Sequence, residues 1–464
     1  MAEPVVVIGG GLAGCEVALQ LARRGVPVRL LEQKPLRRTP AQSSDALGEL
    51  VCSNSFRSAN VQNAIGLLKV EMRAAGSAIM AAAERCAVPA GDALAVDRDL
   101  FAADLTAQVA AEPLIEVVHE VVHEVPRTGL TVVATGPLTG SELAADIARL
   151  AGRESLYFYD AIAPIVDNEG LDWDVLWRAS RYDKGDGADY ANIPLDRPTY
   201  ERFIAELLAG EKVVPREFEE AKYFEGCLPI EVMAERGPMT LAHGPMKPVG
   251  LDDPRTGRWP YAVVQLRMEN REGTAWNIVG FQTRLKYPEQ RRIFSALPGM
   301  ANAEFLRFGS VHRNTYLHAP SLLTDTLCWH DRPDLFFAGQ ITGVEGYVES
   351  TACGLLVAWQ VLAHLRGEPL PPPPPTTALG AMRRHLRGDG LLSNYVPSNL
   401  NWSLFNPLEA EPPPDLLAPD AKPAKKPRKL GKGDRRVLLV ARAQADFARW
   451  WRSAGVPEAR RPSP

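Results

Sequence analysis

Two kinds of residue in this chain are placed to do chemistry. The first is a glycine set near the start, where Val5-Val6-Val7-Ile8 runs directly into Gly9-Gly10-Gly11-Leu12-Ala13-Gly14. The second is a pair of cysteines in polar surroundings, Cys52 beside Ser53-Asn54-Ser55 and Cys227 within Glu225-Gly226-Cys227-Leu228-Pro229. The spacing G-x-G-x-x-G suits a pyrophosphate. Gly9 permits a tight turn out of a strand, Gly11 lets backbone approach the phosphates, and Gly14 lets the next helix pack closely. Gly10, Leu12 and Ala13 complete that turn, and a helix predicted over 13–24 aims its first amides at the ligand. A second strand, predicted over 26–31, ends at Glu32, whose carboxylate can accept hydrogen bonds from ribose hydroxyls. A thiol in a polar, bent segment is a candidate nucleophile if a positive group favours the thiolate. Glu225 and Glu231 stand near Cys227 as acid–base candidates. Cys15, Cys86, Cys328 and Cys353 read as small buried hydrophobes.

These residues need a scaffold. The run 130–134 is a short apolar strand followed at once by Thr135-Gly136, a second place where backbone can approach a dinucleotide. The run 335–338 is a buried-type strand ending at Gly339-Gln340, with Gly343 beyond it and an apolar helix predicted over 348–365. A strand, glycine turn and helix so late in the chain would close one nucleotide domain from both ends. Helical periodicity covers 64–85, and alternation over 115–125 predicts a strand. The runs 261–267 and 276–281 predict antiparallel strands. The fold class is therefore α/β: a Rossmann-type dinucleotide-binding domain, 1–165 plus 300–408, with an inserted α+β domain over 166–299. Residues 409–464 form a Pro-rich and basic tail with a short terminal helix over 437–451.

The whole chain sets bounds. At 464 residues with 46% apolar and 23% charged side chains, it is ordinary for a globular protein of more than one domain. The net charge of −4 excludes a polycation, so RNA contact requires local basic patches. The runs Arg284 to Arg292 and Lys422 to Arg436 are the candidates. Six cysteines without a CxxC pair fit a reducing cytoplasm. No uninterrupted apolar run is long enough for a membrane, and no secretory leader is read at the start. No His/Cys/Asp cluster has metal spacing, so no metal is expected.

The segment Ala338-Gly339-Gln340-Ile341-Thr342-Gly343-Val344-Glu345-Gly346-Tyr347 closely resembles the folate- and FAD-dependent tRNA (uracil-5-)-methyltransferases, and more distantly the wobble-uridine-modifying flavoproteins. Val51-Cys52-Ser53-Asn54-Ser55, Leu68-Lys69-Val70-Glu71-Met72, Phe224 to Glu231 and His312-Arg313-Asn314-Thr315 sharpen the match to the first family. The resemblance spans 4–408, and the tail beyond 410 departs from the pattern expected of the family. The resemblance implies a glutathione-reductase-like FAD domain and an inserted domain serving tRNA and folate. It implies methylation at C5 of uridine 54 in the T loop of tRNA. The carbon would come from 5,10-methylenetetrahydrofolate and the hydride from FADH2 recharged by NADPH or NADH. By the same resemblance Cys52 and Cys227 are both catalytic, one adding to the uracil and the other assisting. The residues leave that division open, with Cys227 favoured as nucleophile. Tyr347 could stack on flavin or folate, or serve as a core tyrosine. The competing readings are a wobble-uridine flavoprotein, disfavoured by length, and a flavin-bound RNA-binding protein without turnover. A flavin disulfide reductase would need a CxxxxC pair that Cys52 lacks. Oligomeric state stays open.

Overall fold

The computed structural model of the protein describes residues 3–39, 41–152, 156–185, 187–213, 228–389, 395, 397–408 and 431–460. Its first sheet has six strands in the order Cys328–Trp329, Arg332–Phe337, Thr131–Val133, Val5–Ile8, Val28–Glu32 and Ile115–His119. All neighbours are parallel except the hairpin at the Cys328–Trp329 edge. Val5 pairs with Val28, and Leu335 pairs with Thr131. Both ends of the chain therefore build one sheet, with the first strand near its centre.

The β-branched run Val5–Ile8 suits that central position, because it is covered on both faces. The first helix, Leu12–Ala22, is buried along its whole length. It packs on the long helix Tyr347–Arg366, whose residues 348–362 are likewise buried. Small residues allow the approach. A Cβ on Gly14 would lie 1.9 Å from the Gly9 carbonyl oxygen, and one on Gly354 would lie 2.6 Å from the Ala13 carbonyl oxygen. Tyr347–Arg366 is by length and mean hydropathy able to cross a membrane, although Glu349, Gln360 and His364 interrupt its apolar run, and 89% of its apolar window is buried within the protein.

Two periodic stretches differ from expectation. The helical stretch 64–85 is two helices, Ala64–Ala74 and Ala78–Arg85. Gly76 at φ 74° ends the first, and Ser77 caps the second by accepting from the Met80 amide. Buried Glu16 also accepts from the Ala78 and Ile79 amides, a tertiary cap that no local pattern reveals. The strand predicted over 115–125 stops at His119, where its partner strand ends at Glu32.

The second sheet is antiparallel, in the order Trp177–Arg178, Tyr190–Leu195, Ala262–Met268, Ala275–Ile278, Ile165–Asp167 and Phe305–Arg307. Its core gathers Trp276, Phe203, Phe281 and Phe294. The sheet thus reaches beyond the 166–299 span, back to Ile165 and on to Arg307. An antiparallel ribbon, Leu156–Ile162 with Ser310–Tyr316, carries the chain out and back between the two sheets.

The terminal helix, Lys432–Ser453, is longer than predicted and docked. It buries Val440, Ala443, Phe447 and Trp450, and the rings of Trp450 and Trp451 lie 5.8 and 5.0 Å from Trp359 of the long helix. The Trp450 indole donates to the Pro371 carbonyl at 2.9 Å. Most of the basic run Lys422 to Arg436 lies outside the described residues.

Candidate functional site

A cleft opens at the carboxyl ends of the parallel strands, where open α/β sheets bind their ligands. Gly9, Gly10, Gly11, Leu12, Ala13, Glu32, Thr135, Gly136, Gln340 and Tyr347 all line it. Gly11 is the open point of the turn, since a Cβ built there meets nothing within 4 Å. Backbone amides at the start of the first helix and an empty cradle above them are what a pyrophosphate requires. Glu32 is buried at the floor. Its carboxylate accepts from the Gly10 amide at 2.8 Å and from the Lys34 amide at 3.0 Å, which fixes its orientation toward the cleft. These features fit FAD, with the glycine turn holding the pyrophosphate and Glu32 the ribose.

Gly14, Gly339 and Gly343 do not line the cleft. Gly14 supports it from behind by the close packing already described. Gly339, at φ 80°, brings the end of strand Arg332–Phe337 against Ala13, where its Cβ would lie 2.7 Å from that of Ala13. Gly343, at φ 94°, packs on Tyr395, and its carbonyl accepts from His385 at 3.1 Å. Residues that sequence reasoning missed complete the cleft. Arg37 and Glu142 form a two-bond pair at 3.0 and 3.1 Å, and both belong to the segments around it. They are 105 residues apart in sequence, and no motif marks either one.

Tyr347 links the cleft to Cys52. It lines the cleft, and its Oη accepts from the amides of Cys52 at 2.7 Å and Ser53 at 3.1 Å. Burial first, and then the neighbouring Cys52, raise the phenol pKa well above its ordinary value, so Tyr347 is neutral. Cys52 is half-buried, and Val51 beside it also lines the cleft. Two guanidiniums hold the carbonyls just before it. Arg98 donates to the Leu50 carbonyl, and Arg307 donates to the Val51 carbonyl at 2.7 Å and the Ala41 carbonyl at 3.2 Å. Arg98 is itself paired with Glu269 at 2.8 Å. Burial opposes its charge, but Glu269, with Tyr347 and Cys52, more than offsets that and its pKa is raised. Burial, with Arg98 close by, lowers that of Arg307. Buried Asn54 completes the clamp by donating to the carbonyls of Val96 and Met268, both at 2.9 Å. Cys52 therefore sits where the two sheets meet, within the electrostatic reach of two cations.

Residues 4–369 match the family described as glucose inhibited division protein A. A relative from Myxococcus xanthus, methylenetetrahydrofolate--tRNA-(uracil-5-)-methyltransferase TrmFO, is 54% identical over 463 residues, covering 99% of this chain and 97% of its own length. The relative of the same name from Geobacter sulfurreducens is 53% identical, covering 97% of this chain and 99% of its own. This chain belongs to the TrmFO family. The solved structure of Aquifex aeolicus GidA shares the fold, with a TM-score of 0.64 at 17% identity over 86% of this chain and 71% of that one. The alignment to the Myxococcus relative takes in the terminal segment, so the tail does not depart from the TrmFO pattern as expected.

Other candidate residues of this TrmFO chain fall in different places. Cys227 and Glu225 lie outside the described residues. Glu231 is buried and engaged, accepting from the Thr283 hydroxyl at 3.0 Å and the Arg284 amide at 2.7 Å. Burial raises its pKa, and its contacts make it a brace for the short helix Ile230–Glu235. Cys15 and Cys353 are fully buried, and burial pushes both thiols up, away from reactivity. Among the described residues no group of three or more His, Cys, Asp or Glu could hold a metal ion.

The basic run Arg284 to Arg292 is largely neutralised. Arg284 pairs with Glu235 at 3.1 Å, Lys286 with Glu211 at 2.7 Å, and Arg292 with Glu289 at 2.7 Å and with Glu206. Its potential at a phosphate is correspondingly small.

Proposed function

We propose that this chain methylates C5 of uridine 54 in the T loop of tRNA. The one-carbon unit comes from 5,10-methylenetetrahydrofolate, and FADH2, recharged by NADPH or NADH, is the reductant. One observation carries the reading: Tyr347 forms part of the dinucleotide cleft and holds the backbone of Cys52 with the same side chain. A thiol is thus fixed at the rim of the dinucleotide cleft.

C5 of uracil is a weak nucleophile. Thiolate addition at C6 makes C5 the carbon of an enolate, which can attack an electrophilic methylene. The C5 proton and the carrier nitrogen must then leave to give an exocyclic methylene, which gains a hydride as the thiolate is expelled from C6. FAD, in its reduced form, supplies that hydride when bound. The protein supplies the rest. Arg98 and Arg307 hold the carbonyls just before Cys52, Tyr347 fixes its backbone, and Gly10, Gly11 and Glu32 hold the dinucleotide. In our assignment Cys227 adds to C6 and Cys52 removes the C5 proton. Family resemblance supports the role of Cys227, and the clamp around a half-buried thiol supports that of Cys52. The inserted domain serves tRNA and folate. The cytoplasm, where tRNA and reduced thiols occur together, is the place of action.

The test is incubation of the purified yellow protein with tRNA transcript, methylenetetrahydrofolate and NADPH. 5-Methyluridine is expected at position 54, and S-adenosylmethionine does not replace folate. Failure with bound, reducible FAD overturns the reading. Cys227→Ala removes the covalent RNA adduct, whereas an adduct that persists moves the nucleophile to Cys52.

A further inference from the structure

The face of the inserted domain next to the Cys52 loop carries an aromatic ladder that the proposed chemistry does not use. Phe305 and Phe308 stack at 5.1 Å with planes 7° apart, and Phe308 and Tyr287 stack at 4.9 Å with planes 16° apart. The guanidinium of Arg291 lies 5.7 Å from the centre of the Phe308 ring. Phe305 is the inner end, packed on the second core, while Tyr287 is 56% exposed. The outer rung is therefore open.

Three parallel rings are an unusual way to expose aromatic surface, because isolated aromatic pairs mix offset and edge-on geometries. Among the described residues the other pairs in this domain are tilted or edge-on, as between Phe281 and Phe294 at 66°. Parallel planes with an open end are continued by another flat π-face. The position of the ladder is specific. Arg307, between Phe305 and Phe308 in sequence, donates to the Val51 carbonyl next to Cys52. Arg291 has no ion pair among the described residues, in contrast to Arg284, Lys286 and Arg292. Glu304 lines one shallow groove with Arg291 and Phe305, so the patch has little net charge. Phosphate attraction is thus weak here, and stacking is what the surface offers.

We propose that Tyr287 is a stacking platform for an unpaired base of the RNA substrate. A base loosened when the target uridine leaves its stack extends the Phe305–Phe308–Tyr287 ladder, with Arg291 beside it. The inference rests on the RNA-methylating reading and gives it a physical basis for loop recognition: unpaired bases offer faces that paired bases conceal.

The experiment measures tRNA binding and the KM for tRNA with Tyr287→Ala, Tyr287→Phe and Lys286→Ala, using flavin content and thermal unfolding to confirm that each is folded. Tyr287→Ala is expected to weaken binding about tenfold, with KM rising more than kcat falls. The loss should persist at raised salt, since stacking is little screened. Tyr287→Phe is expected to stay within about twofold of wild type, because it keeps the ring. Lys286→Ala, already neutralised by Glu211, is expected to change binding less than Tyr287→Ala. Wild-type binding by folded Tyr287→Ala overturns the proposal. So does a loss shared equally by Tyr287→Phe, or a change in self-association with unchanged RNA binding. Absence of methylation by wild type would count against the parent reading alone, since the Tyr287 dependence of RNA binding is measured separately.

Discussion

The two six-stranded sheets make different contributions to one site. The parallel sheet presents a cleft at its strand ends whose glycine turn and acidic floor are local in sequence: Gly9 to Ala13 and Glu32 fall within one strand–turn–helix–strand unit. The antiparallel sheet lines none of that cleft. It contributes Glu269, just past strand Ala262–Met268, and Arg307, the end of strand Phe305–Arg307. Glu269 sustains Arg98, and Arg98 and Arg307 hold the carbonyls preceding Cys52. A cofactor cradle can be local, but the setting of the thiol depends on two domains meeting. Buried cations show the same contrast. Arg98 has a carboxylate from the other sheet and keeps its charge. Lys69, inside the first domain, donates to the carbonyls of Arg57 and Ser58, at 3.0 and 2.6 Å, and makes no ion pair of its own among the described residues. Burial, with Arg57 next, pushes its pKa down to about 7.

The sharpest way to break this comparison is within the glycine turn. Gly14→Ala places a Cβ 1.9 Å from the backbone oxygen of Gly9, and the expected outcome is loss of folded, yellow protein. Gly11→Ala meets no atom within 4 Å. It should unfold at the wild-type temperature yet retain flavin poorly, because its methyl group occupies the phosphate cradle. Thermal unfolding and flavin absorbance check both, and a Gly11→Ala protein with full flavin would refute the assignment.

The next effect tests the junction. Glu269→Ala leaves Arg98 buried without its carboxylate, at a cost of about 3 kcal/mol, the low end for such a loss because the Leu50 carbonyl remains. Flavin binding should survive while alkylation of Cys52, read in a Cys227→Ala background, slows. Equal loss of flavin and thiol reactivity would mean that the two regions are not separable.

The smallest effect is a pH trend. Folded Lys69 loses its proton near pH 7, and the unfolded chain keeps it to about 10.5. Between those values the unfolded state binds one proton more, so the stability due to this site rises with pH across the window. Below pH 7 both states are protonated and the dependence vanishes. Denaturant midpoints of wild type and Lys69→Met should therefore diverge in favour of wild type from pH 7 upward, and parallel curves would place the proton elsewhere.

Much of the fold was legible beforehand. The first strand, the first helix, the strand ending at Glu32, the late strand and the long apolar helix all stand within a few residues of their expected positions. Each carries its own periodicity and punctuation. Errors arose where distant contacts overrode local pattern. The helical stretch 64–85 breaks where Gly76 turns and Glu16 caps. The charges of the basic run Arg284 to Arg292 looked free because the carboxylate partners Glu206, Glu211 and Glu235 lie elsewhere in the sequence. The terminal helix looked loose because Trp359, on which Trp450 and Trp451 rest, is about ninety residues earlier.

The amino-acid order alone determined the phosphate turn, the placement of Glu32 and the closing of one domain by both chain ends. Those features arise from steric and hydrogen-bonding rules acting over a few residues at a time. Only the tertiary structure decided that Cys52 would be held by Tyr347, 295 positions away, and that Arg307, 256 positions beyond Val51, would pin the loop beside it. Such contacts exist because two separately packed cores press a polar loop between them, and that juxtaposition has no signature in a linear pattern.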